Sequence, residues 1–252
     1  MGLNGGLTML VGGVPGSGKS RLAGTIVEVP GISRAILLAA KPREANSYKY
    51  LEHKDSIAVE TFRDHKWAPP VGSFESGAFT KLYRRILDLY DDDTFDAVIL
   101  DPLTDVTYLA AHELLTPERA ATPKELRDTI GFYGALKYKM KDFTQSLTGL
   151  AAPGLKLPKH VIVTVHTQPS KDEDLKGKPT PEANAKGIEF LGEVLPMIEG
   201  GYRREIAGEF DIVGYTNVRY DNVRTGNKIE RVASYVVQLN ADPERHAKAA
   251  IV

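Results

Sequence analysis

Eight consecutive residues, Gly13-Val14-Pro15-Gly16-Ser17-Gly18-Lys19-Ser20, constrain this chain more than any other feature. They match the pattern G-x-x-x-x-G-K-[ST], whose glycines let the backbone curl until successive N–H groups point at phosphate oxygens. A helix starting at Lys19 adds its positive end to the same spot. In that arrangement the Lys19 ammonium neutralises the β- and γ-phosphates and the Ser20 hydroxyl ligates Mg2+. The alternative is a flexible Gly/Ser linker, and the flanking residues decide between the two. Leu7-Thr8-Met9-Leu10-Val11 reads as a buried strand just before the run, and Lys19 to about Glu28 as a helix just after it. The expectation is an ATP and Mg2+ site whose nucleotide-binding residues run from Gly13 to Arg21.

The rest of the chain alternates in the same way. Ala35–Ala40, Ser56–Thr61, Phe95–Asp101 and His160–His166 read as strands, the last being the most β-like run present. Phe79, Leu82, Tyr83, Ile86 and Tyr90 recur at helical spacing, as do Leu126, Ile130, Tyr133, Leu136, Met140, Phe143, Leu147 and Leu150. Ile188–Ile198 reads as a further helix, and the 41–55 and 67–72 segments as polar connections. Phe210–Arg219 and Ile229–Leu239 read as two closing strands around a turn at 221–227. Strands alternating with helices predict one α/β domain over residues 1–252, a mostly parallel sheet covered on both faces, with a C-terminal β-hairpin. The 168–186 stretch is too polar to pack and is expected as a mobile loop; residues 240–252 form a tail.

Composition excludes several classes. The chain has 252 residues and no cysteine, so disulfides and thiolate metal sites are ruled out. The net charge of −1 offers no global attraction to nucleic acid or anionic membrane, so any DNA-binding surface is local. No run approaches the roughly 18 apolar residues of a membrane span, and Met1–Gly6 lacks the start of a signal peptide. We expect a soluble, cytoplasmic protein.

Two further positions read as catalytic or metal-binding. Asp101 ends a buried strand expected beside that of the phosphate loop, where a carboxylate holds Mg2+ through its water shell; it reads equally as the cap of a helix starting near Pro102. His166, with Gln168, sits at a strand end, where open parallel sheets line their ligand crevice; the bland reading is a satisfied, half-buried histidine. A base that orients the attacking water is often a glutamate, and Glu44 and Glu60 both follow strands, with nothing to choose between them. Arg224, in the expected hairpin turn, is the candidate for an arginine acting on a neighbour's nucleotide; its bland reading is a solvated charge.

In order of features the chain resembles the small phage-type RecA-like ATPases, the group that includes single-strand annealing and recombination ATPases. The resemblance rests on the Gly13–Ser20 loop, Ala97–Thr104, Gly134, Val163–Thr167, Glu209–Val213 and Pro243–Lys248. It implies a RecA-type core, ATP with Mg2+, assembly into homo-oligomeric rings or filaments, and binding of single-stranded DNA by the 168–186 loop. It places Asp101 in the magnesium role and His166 in a sensor role. The chain departs from the group in two ways: Ala39–Arg43 stands where the glutamate after the second strand belongs, and the 168–186 loop has no aromatic residue for base stacking. A replication or packaging motor, or helicase loader, would use the same core. A small-molecule kinase usually has an arginine-rich lid, which 168–186 lacks.

Overall fold

Alternate residues of the apolar strands go to opposite faces, and here both faces are covered. In the strand Ala35–Ala39 every residue is buried. Ile36 and Leu38 pack into one hydrophobic cluster and Leu37 and Ala39 into a second. A computed structural model describes residues 5–64, 77–118, 120, 122–169, 194–198, 202–225, 228–239 and 248–249. Its strands are β1 (Thr8–Gly13), β2 (Ala35–Ala39), β3 (Ile57–Thr61), β4 (Ala97–Asp101), β5 (His160–Pro169), β6 (Val194–Pro196), β7 (Ile212–Thr225), β8 (Lys228–Gln238) and β9 (Lys248–Ala249). The helices are α1 (Lys19–Gly24), α2 (Pro42–Tyr48), α3 (Ala78–Asp88), α4 (Leu103–Leu115), α5 (Thr129–Gly149) and α6 (Tyr202–Glu205).

The sheet runs β3-β2-β4-β5-β1-β7-β8. All its pairs are parallel except the last, with β6 antiparallel to the end of β5 and β9 antiparallel to β7. α3, α4 and α5 cover one face and α1 and α2 the other. This is the RecA-like P-loop arrangement, with the expected C-terminal hairpin. One expectation about neighbours fails: β4 does not lie beside β1, because β5 is inserted between them.

The buried stripe of α5 is Phe132, Leu136, Met140, Phe143 and Leu147, with Phe143 packed on Phe79 of α3 at a ring separation of 5.3 Å. Ile130 is not part of it. The helix is capped by Asp128, whose carboxylate accepts from the Gly131 N–H at 2.7 Å, and Ile130, on the side away from the core, is 88% exposed.

Four other segments differ from expectation. The 41–55 connection contains α2, which starts at Pro42 and turns a single large side chain, Tyr48, into the core. At the end of 188–198, Val194–Pro196 is a strand, held by the extension of β5 to Pro169; residues 188–193 lie outside the described residues. Gln168 consequently belongs to β5, and the rest of the 168–186 loop from residue 170 onward lies outside the described residues, as do 67–72 and most of the 240–252 tail. The hairpin is longer than expected: β7 and β8 stay in register from Tyr215↔Gln238 to Thr225↔Lys228. Arg224 is therefore a β7 residue opposite Ile229 and not a turn residue.

Candidate nucleotide site

The parallel strands end together, and their carboxyl ends open onto one cavity of about 680 Å³, within the range typical of small-molecule pockets. Pro15, Gly16 and Gly18 bring the loop after β1 to its wall, α1 brings Lys19, Ser20 and Arg21, and α2 brings Arg43, Glu44 and Ser47. Asp101 enters from β4, His166 from β5 and Tyr235 from β8. Gly13 and His166 are register partners, which fixes the start of the loop against the end of β5.

The loop needs its glycines. Gly16 has φ 80° and Gly18 φ 91°, left-handed values that a side chain disfavours. A Cβ on Gly18 would also stand 2.8 Å from the Tyr235 ring. Lys19 is 5% exposed, and its ammonium donates to the carbonyls of Gly13 and Val14, each at 2.9 Å. Burial lowers its pKa, with Asp101 and then Glu44 opposing. Ser17 is turned away from the cavity: its hydroxyl bonds Thr216 at 2.7 Å, and Thr216 donates on to the Gly12 carbonyl, tying the loop to β7. Val14 is half exposed and lines no wall of the cavity.

Asp101 is buried and does not cap α4, whose N-cap is Pro102 with no side-chain cap bond. Its two carboxylate oxygens are held instead by the hydroxyls of Tyr48, at 2.9 Å, and Thr164. His166 donates its backbone N–H to Thr104 at 3.0 Å, while its Nδ1 is buried without a hydrogen-bond partner. Burial, then the Lys19 charge, lowers its pKa, with Asp105 and Asp101 opposing. The two glutamates part company. Glu44 faces the cavity, and burial, then Asp101 and Asp105, raises its pKa. Glu60 receives the Arg85 guanidinium at 3.0 and 3.1 Å and lines no part of the cavity.

The donor set suits a magnesium nucleotide. A serine hydroxyl and a carboxylate are hard oxygen ligands, which Mg2+ prefers. Among the described residues no cluster of three or more His, Cys, Asp or Glu forms a metal cage. Mg2+ fits such a site, because it is usually held by one or two protein oxygens together with phosphates and water. Tyr48, Thr164, Thr216 and Tyr235 are absent from the sequence reading. Each reaches the site from a strand or helix distant in sequence.

A family model described as an AAA domain, AAA_24, matches residues 5–250. No curated protein matches the chain in sequence. Among solved structures, it is similar to a prototypical ATPase from the type III secretion system of pathogenic bacteria, with 13% identity over 84% of this chain and 51% of that one (TM-score 0.44). The assembled ATPase EscN from the type III secretion system of enteropathogenic E. coli gives 16% identity over 83% of this chain and 42% of that one (TM-score 0.45). The flagellar accessory protein FlaH from Methanocaldococcus jannaschii gives 12% identity over 93% and 80% (TM-score 0.37). The chain thus spans 51% and 42% of the two secretion ATPases, less than two thirds of either. No helix among the described residues is long and apolar enough to cross a membrane.

Proposed function

The chain belongs to the AAA domain family, matched over residues 5–250, and we propose that within it this protein is an ATP-dependent DNA-binding protein that pairs or anneals single strands in phage-like recombination. The observation that carries the ATP part is convergence. Lys19, Ser20, Asp101 and His166, drawn from three strand ends, line one nucleotide-sized cavity with Glu44 on its open wall. Lys19 supplies a point charge for the terminal phosphates. Ser20 and Asp101 would hold Mg2+, which when bound would neutralise charge on those phosphates. Glu44, with its raised pKa, orients the attacking water as base. His166, beside the loop, senses the terminal phosphate through its ring.

The DNA part rests on the resemblance of Ala97–Thr104, Val163–Thr167 and Glu209–Val213 to the phage-type group. In that reading copies of the chain assemble into a ring or filament with ATP between neighbours, and Arg224 acts across the interface. Steady-state ATP turnover with and without single-stranded DNA tests the whole. We expect stimulation by the strand, and loss of turnover by two orders of magnitude or more (~10²-fold) in Lys19→Ala, which removes a preorganised transition-state charge. Lys19→Ala turning over ATP normally would overturn the site. Turnover indifferent to DNA would overturn the DNA part, and strand displacement on forked DNA would point to a motor instead.

A further inference from the structure

Tyr48 ends α2 and is 2% exposed, its ring packed with Ala23, Leu37 and Ala39 beneath the nucleotide cavity. A phenylalanine would fill that space as well, so the hydroxyl needs its own explanation. It donates to Asp101 Oδ2 at 2.9 Å. One buried oxygen thus fixes the carboxylate assigned to the cation.

Asp101, held by Tyr48 on one oxygen and Thr164 on the other, is fixed in a single orientation.

We propose that Tyr48 is a positioning residue for the magnesium nucleotide, its hydroxyl holding Asp101 in the orientation that receives the cation beside Ser20. This rests on the reading of Ser20 and Asp101 as the magnesium pair. Outer-shell partners of this kind are worth about 10–100-fold in metal affinity.

The test titrates the full-length protein with a fluorescent ATP analogue, once in Mg2+ and once in excess EDTA. In Tyr48→Phe, which keeps the buried ring, affinity in EDTA stays within about twofold of wild type while the gain conferred by Mg2+ falls about tenfold. In an Asp101→Asn background the same substitution adds less than about twofold, because the two groups act as one unit. Tyr48→Met, of similar volume and without a hydroxyl, repeats the measurement if Tyr48→Phe does not melt cooperatively. Equal weakening with and without Mg2+, no weakening, or full additivity with Asp101→Asn would each overturn the proposal. Wild type binding no analogue in either condition would instead remove the nucleotide site itself, and the role of Tyr48 with it.

Discussion

Glu44 and His160 show how burial sets the behaviour of single residues here. Glu44 lines the nucleotide cavity with its pKa raised by desolvation and by Asp101 and Asp105, which brings a carboxylate nearer the pH at which a base works well. Glu44→Gln keeps the shape and removes the base. We expect ATP binding within a few-fold of wild type and turnover lower by about 10²-fold or more, read by single-turnover hydrolysis; unchanged turnover would reassign the base. His160 lies far from that chemistry. Its Nδ1 accepts the Leu7 N–H at 3.2 Å, and burial lowers its pKa, with Asp96 opposing. The unfolded chain takes up a proton near pH 6.5 that the fold resists. Stability is therefore fully present above that pH and declines as pH falls through it. In His160→Gln the drop in melting temperature between pH 7 and pH 5 becomes smaller. His166 shares the same sign, so the drop is reduced and not abolished. An unchanged pH dependence would remove His160 from this account.

Among the elements, α5 supplies Phe132, Leu136, Met140, Phe143 and Leu147 to one face of the core. Phe143 is fully buried against Phe79 and Tyr83. Phe143→Ala is expected to cost about 3–5 kcal/mol in chemical denaturation, whereas Ile130→Ala on the solvent side of the same helix changes stability by no more than about 0.5 kcal/mol. Similar effects at the two positions would contradict the assigned faces. Most of this helix is legible in sequence, because steps of three and four from Leu136 to Leu147 can mean little else. Its start is not, because Asp128 capping outweighs the apolar Ile130 two residues later. α2 is illegible for a plainer reason: one buried residue, Tyr48, makes no period. The phosphate loop is legible because its chemistry is confined to eight neighbours in sequence. The contacts that set the rest of the site span 53 residues from Tyr48 to Asp101, 63 from Thr164 to Asp101 and 199 from Ser17 to Thr216. Only the fold brings such pairs together, and the insertion of β5 between β4 and β1 decides which strand supplies Thr164.

For the whole molecule, the net charge of −1 bears on the proposed partner. A protein without a global positive field grips single-stranded DNA through a local group of cations. Contact with three or four phosphates gives a plot of log affinity against log salt with a slope of about −2 to −3. Fluorescence anisotropy of a labelled oligonucleotide across several salt concentrations measures it. A slope steeper than about −6 would demand a broad basic face, which this composition does not supply. The hairpin bears on how such a grip reaches the nucleotide. From Thr216 to Thr225, β7 runs outward for about 30 Å at the usual rise per residue, paired to β8 along its length. Its base is fastened to the phosphate loop by the Ser17–Thr216 bond, and its β8 arm rests Tyr235 beside Gly18. The hairpin is therefore anchored where the phosphate loop begins: displacing its base must stretch the Ser17–Thr216 bond or carry the loop along with it.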